Sequence, residues 1–254
     1  MKKGFTLAEA LATLSIICII ATVTLPGLNS KHQEMETILR LKKAYITLND
    51  AYEQGFAEHG SPVKWELNDV SDYATNEDYE GSKNMYNAFG VYIKKKKDCQ
   101  GKSGCFADKY FFSNGAERTD DLNTAPHRYK IITNDNMSMA FHAYSHDCSR
   151  VQEAGDIRTI CGLVFVDING PNKGKNMMGD DLFVFYLAED GIFPQGAATD
   201  TCLYSDCMAK GEHCTKWVIE NENRDYLKCK DLSWSGKTKC SNCLLYTSDA
   251  ADDK

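Results

Sequence analysis

From Phe5 to Leu25 the chain runs 21 residues with Glu9 as its only charge, the length of apolar helix that crosses the ~30 Å hydrocarbon core of a bilayer. Beyond Pro26 the pattern changes. Ile38, Leu41, Tyr45, Leu48 and Tyr52 recur at intervals of three and four, one stripe of an amphipathic helix. Lys31, Glu34, Glu36, Arg40, Lys42, Lys43 and Asp50 fall mainly off it. Gly55, or the Gly60-Ser61-Pro62 cluster, is the expected stop. A helix from Phe5 to about Gln54 is ~75 Å long at 1.5 Å per residue.

After Pro62 the period shortens to two. Tyr129–Thr133 and Met137–Tyr144 flank Asn134-Asp135-Asn136 as a hairpin. Cys161–Ile168 and Asp181–Leu187 are the strongest strands, joined by a loop rich in Gly, Asn and Pro. Residues 190–240 are weakly periodic and read as loops with short strands. The expected fold is α+β: a long N-terminal helix, transmembrane and then amphipathic, packed on an antiparallel sheet head with cystine-rich loops. The expected segments are a basic leader (1–4), a transmembrane helix (5–27), a stem helix (28–57), a head (58–242) and a tail (243–254).

The net charge of −7 over 254 residues provides no positive field for phosphates, so nucleic acid is not an expected partner. The one dense basic run, Lys94–Lys97, ends at Asp98 and reads as a solvated loop. Eleven cysteines are many for this length, and ten of them lie between Cys99 and Cys243, which points to an oxidising compartment.

The N-terminal residues carry a resemblance. Lys-Gly-Phe-Thr-Leu-Ala-Glu-Ala at 3–10 resembles the processing motif of type IV prepilins and type II secretion pseudopilins. The resemblance covers about the first 30 residues. It implies cleavage by a prepilin peptidase between Gly4 and Phe5 and methylation of the new Phe5 amine. It also implies that the Glu9 carboxylate pairs with the amine of a neighbouring subunit and that Pro26 interrupts the apolar helix. Lys2 and Lys3 would hold the leader on the cytoplasmic side. An acid inside an apolar helix is costly without a partner, and in low dielectric such a pairing would set subunit register. The implied partners are other pilin or pseudopilin subunits, an inner-membrane assembly platform and the lipid bilayer. The implied location is the bacterial inner membrane, single-pass with a periplasmic head, followed by a filament in the periplasm or at the cell surface.

The last residues read differently. Cys-Leu-Leu-Tyr-Thr-Ser-Asp-Ala-Ala-Asp at 243–252 resembles a translated sequencing adapter, so Cys240-x-x-Cys243 is set aside as a false motif and the natural chain is expected to continue past Asn242.

Nine head cysteines remain as disulfide candidates: Cys99, Cys105, Cys148, Cys161, Cys202, Cys207, Cys214, Cys229 and Cys240. Close pairs such as 99 with 105, 202 with 207, and 148 with 161 would pin loops, but connectivity does not follow from sequence. Zinc is the rival reading, through His213 and Cys214 near Cys207, though these spacings hold no C-x-x-C pair. Asp167, Asn169, Asp180 and Asp181 are hard oxygen donors at the two ends of a glycine-rich loop and could converge on Ca²⁺, the one cofactor suggested. Calcium loops late in the sheet of some pseudopilins support that expectation, whereas a plain Asn-Gly-Pro turn is the simpler one. No Gly-x-Ser-x-Gly or phosphate-loop pattern occurs, and His142 and His146 fall on a strand and its exit, so no enzyme is expected. The expected function is a filament subunit. The alternative is a bitopic membrane protein whose disulfide-rich head binds a ligand and never polymerises.

Overall fold

The computed structural model describes residues 7–69, 79–151 and 159–240. The long helix α1 runs from Leu7 to His59, about 80 Å at 1.5 Å per residue, and the helical backbone continues through Pro26. The stripe predicted from spacing is the face it buries: Ile38, Leu41, Leu48 and Tyr52 are buried together with Ala44 and Ala51, and Tyr45 packs against them half-buried. The helix passes Gly55 and stops at Gly60, whose φ of 75° is the left-handed turn that ends a helix. Its amide bonds back to the Phe56 carbonyl at 2.8 Å.

α2 (Tyr79–Ala88) leads into six antiparallel strands in the order β1-β2-β3-β6-β7-β8. These are β1 (Lys95–Gln100), β2 (Tyr129–Thr133), β3 (Ser138–Ala143), β6 (Gly162–Asp167), β7 (Leu182–Ala188) and β8 (Gly191–Pro194). A separate ribbon of β4 (Arg150–Val151) and β5 (Thr159–Ile160) interrupts the meander between β3 and β6. The chain closes with α3 (Asp200–Cys202), a π-helical turn over Leu203–Cys207, α4 (Met208–Lys210) and α5 (Thr215–Asn221).

Every residue of β2, β3, β6 and β7 is buried, because both faces of the sheet are covered. Alternate side chains (Ile131, Met139, Phe141, Val164, Val166, Phe183, Phe185) join the core beneath α1, α2 and α5. Their neighbours (Ile132, Ala140, Leu163, Phe165, Val184, Tyr186) meet Cys105, Phe106, Tyr110 and Leu122 from the segment between β1 and β2. Lys130, fully buried on that second face, donates to the carbonyls of Asn123 and Ala125 at 2.8 Å each. Burial pushes its ammonium down to about 8.

Several expectations are corrected. Among the described residues no helix is long and apolar enough to cross a membrane. The transmembrane helix over 5–27 is therefore overturned, and with it the single-pass placement in a bacterial inner membrane. The α+β class and the antiparallel head stand. The lysine run is an edge strand rather than a loop: β1 pairs with β2 through two register irregularities and exposes all but Cys99, as charged, bulged edges do to avoid further pairing. Residues 190–240 hold the short strand β8 and several short helical turns among loops, where loops with short strands were expected.

Candidate functional site

The feature of α1 that the head does not use is its N-terminal part. Leu7 is 80% exposed, and Leu11, Leu14, Ile16, Ile17, Ile19 and Ile20 are 57–64% exposed. Successive residues turn by 100°, so these six point in every direction around the axis. A helix apolar all round is stable in water only where something covers it. Within this run Ser15 returns its hydroxyl to the Leu11 carbonyl at 2.9 Å, leaving no outward polar demand from that side chain.

Further along, Met35, Leu39 and Ile46 are 57–59% exposed. Their spacing of four and seven places them within about 40° of one another and opposite the buried stripe. The stem thus has two apolar faces, one inside the head and one outside it. Sequence reasoning missed the second; the signal was present in that spacing, interleaved with the first.

Polar contacts fix the stem against the head near its apolar end. Glu34 accepts from the Arg224 amide at 3.2 Å and from Lys228 Nζ at 2.7 Å. Burial opposes its charge, but those partners hold its carboxyl below the usual range. Arg40 donates to the Ile168 carbonyl at 2.9 Å, and Arg224 donates to the Asp180 carbonyl at 3.0 Å and to its carboxylate. The exposed run therefore projects from an anchored base.

The processing residues Gly4 and Phe5 lie outside the described residues, as do the leader and the 243–254 tail. Glu9 and Pro26 lie within α1, without described side chains.

The loop between β6 and β7 brings the four calcium candidates near one another, with the carboxylates already engaged and Asn169 Oδ1 buried without a hydrogen-bond partner. Asp181 accepts from the amides of Lys175 at 2.7 Å and Asn176 at 2.9 Å, and also from Met177. Asp167 accepts from Tyr110 Oη at 2.6 Å and from the Asn169 and Gly170 amides. Asp180 faces Arg224 and Lys175. Asn169 Nδ2 reaches Asp181 at 3.4 Å. Burial, and then the nearby Asp181, push Asp167 up to about 6. These hydrogen bonds hold the loop in its turn.

The cysteines pair as 99–105, 148–161, 207–214 and 229–240, which bears out the expected disulfides and the oxidising setting they need. The expected 202–207 pair is corrected: Gly211, at φ 78°, reverses the chain after α4 and returns Cys214 to Cys207. Among the described residues Cys202 is left free and buried and Cys18 free and exposed. No protein-family model, curated protein or solved structure matches the chain.

Proposed function

We propose that the chain is a structural subunit of a filament of the type II secretion pseudopilus or type IV pilus-like kind. A prepilin peptidase cuts it between Gly4 and Phe5, and it assembles by burying the apolar end of α1 against the same helix of other copies. The observation that carries this reading is the division of labour along one helix. Residues 38–52 hold the head, whereas 11–20 present apolar side chains on all sides with no cover from the head. Burying a single Leu or Ile side chain contributes about 1.5–3 kcal/mol, so lateral packing of this run has a large driving force. The motif at 3–10 supports the same reading, with Glu9 setting register through a neighbour's Phe5 amine.

The test is the mature N-terminus and the assembly state together. Mass spectrometry of protein recovered from filaments is expected to show loss of residues 1–4 and a methylated Phe5. Ile16→Lys with Ile17→Lys is expected to abolish filaments while leaving the thermal melting of the head unchanged. An intact Met1 on a chain that stays monomeric would overturn the proposal in favour of a ligand-binding head that does not polymerise.

A further inference from the structure

Eight of the nine head cysteines are paired, yet Cys202 remains a thiol although Cys207 lies five residues on in the same helical run. The residue is 4% exposed, and burial pushes its thiol pKa up, the opposite of an activated nucleophile. Its surroundings suit a different chemistry. Cys202 Sγ, a carboxylate oxygen of Asp206 and a ring nitrogen of His213 all lie within 4.8 Å of one another.

The fold assembles these three groups by separate means. Cys202 and Asp206 are four residues apart in one helical run, hence on one face. The Cys207–Cys214 disulfide joins the residue after Asp206 to the residue after His213, so it staples both side chains together. His213 is held in a left-handed conformation, φ 57°, and Gly196 presses on its carbonyl so closely that a Cβ there would sit 2.1 Å from the oxygen. Ser205 Oγ donates to the Asp206 carboxylate at 2.8 Å.

One atom lacks a partner. His213 Nδ1 is buried and makes no hydrogen bond. It lies 3.6 Å from Asp206 Oδ2, too far for a hydrogen bond. That distance is close to the ~3.4 Å edge of a tetrahedron with Zn–N and Zn–O bonds of about 2.0–2.2 Å.

We propose that Cys202, Asp206 and His213 form a three-ligand site for a borderline divalent transition metal ion, Zn²⁺ foremost, with the fourth coordination position open to water or an added donor. On binding, the thiol proton leaves to solvent and the sulfur coordinates as thiolate. One thiolate, one carboxylate and a neutral imidazole balance the two positive charges, so the half-buried site holds a neutral complex and avoids the cost of an isolated charge. The sulfur donor selects against Ca²⁺ and Mg²⁺, which take oxygen ligands. Coordination also accounts for a thiol that stays out of the disulfide framework beside it.

The test uses the full chain with its disulfides formed, stripped with a chelator and titrated with Co²⁺. The expected result is one bound Co²⁺ with a thiolate-to-cobalt charge-transfer band in the near ultraviolet, displaced by one equivalent of Zn²⁺. Cys202→Ser is expected to remove the band, and Asp206→Asn or His213→Gln to weaken binding about tenfold or more. The Asp206 side chain is 29% exposed, so Asp206→Asn, with unchanged circular dichroism, keeps the test valid if Cys202→Ser misfolds. The exposed trio Asp69, His146 and Asp147 also comes within ligand distance, and His146→Gln is expected to leave the band intact. Absence of the band, its survival in Cys202→Ser, or binding lost only in His146→Gln would each overturn the proposal.

Discussion

The ring of Tyr45 on α1 stacks on Phe185 of β7, centroids 5.6 Å apart and planes 9° from parallel. One step along the same stripe, Leu48 is fully buried. Leu48→Ala removes three carbons from a packed site and is expected to cost about 2–5 kcal/mol, measured by denaturant unfolding of the oxidised protein. Leu39→Ala, on the outer face, is expected to stay within about 0.5 kcal/mol of the parent. Equal losses for the two variants would mean that the head grips a different face of the stem.

Gly55 lies directly against the end of α2. A Cβ there would lie 2.4 Å from the Ala88 carbonyl oxygen and 2.8 Å from Phe89 Cβ, neither of which can swing away as a flexible side chain could. Gly55→Ala improves helix propensity by about 1 kcal/mol, yet it is expected to destabilise by about 1–3 kcal/mol as the two elements are forced apart. Gly236→Ala, with nothing nearer than 3.6 Å, serves as the control and is expected to leave the melting temperature unchanged. A stabilised Gly55→Ala would show that this approach is not tight.

What the sequence disclosed follows from how local each signal is. The buried stripe from Ile38 to Tyr52 and the hairpin around Asn134-Asp135-Asn136 were legible because their periods of 3.6 and 2 are set by neighbouring residues. The second cover of the sheet was not. Phe106, Tyr110 and Leu122 reach the core from an irregular segment with no period to read, held by contacts such as Lys130 to Asn123 that are fixed only in three dimensions. β1 was missed because its lysines carry no apolar alternation, and backbone pairing with β2 makes it a strand. The Cys202, Asp206 and His213 trio was hidden for a related reason: it depends on the reversal at Gly211 and on which partner Cys207 chooses. The apolar run near the N-terminus was plain, but a stretch of that character fits a bilayer, a protein core or a neighbouring copy equally well, and composition does not choose among them.

The disulfide framework is open to direct chemical mapping. Peptide mass spectrometry without reduction is expected to recover the links 99–105, 148–161, 207–214 and 229–240, with Cys202 alkylated only after unfolding. Cys148 and Cys161 close a short loop, and disulfides over ~15 residues stabilise by about 3 kcal/mol, chiefly by restricting the unfolded chain. The double variant Cys148→Ser with Cys161→Ser is therefore expected to lose about 2–4 kcal/mol. A 202–207 link in the map would contradict the pairing described above.

His142 and Asp167 give the head opposing responses to acid. The His142 side chain is buried, both ring nitrogens lack hydrogen-bond partners, and burial followed by Arg128, His127 and Arg150 holds its pKa well below the ordinary 6.5. The unfolded chain therefore binds a proton that the folded chain refuses. The stability tied to this group is complete above pH 6.5 and falls as the pH drops below it. Asp167 works the other way. Burial raises its carboxyl from 3.8 to about 6, so the folded chain holds a proton that the unfolded chain has lost. Its contribution is complete below pH 3.8 and is lost as the pH rises through about 6. Between about pH 4 and 6 the two dependences have opposite sign and oppose one another. His142→Phe, which keeps a ring against Tyr144 (4.4 Å between centroids in the parent), is expected to flatten the fall in stability towards acid or to reverse it. Asp167→Asn is expected to steepen it. Denaturant unfolding at half-unit pH steps, compared with the parent chain, separates these changes from titrations common to all three proteins. Three parallel profiles would show that neither group changes its proton affinity on folding.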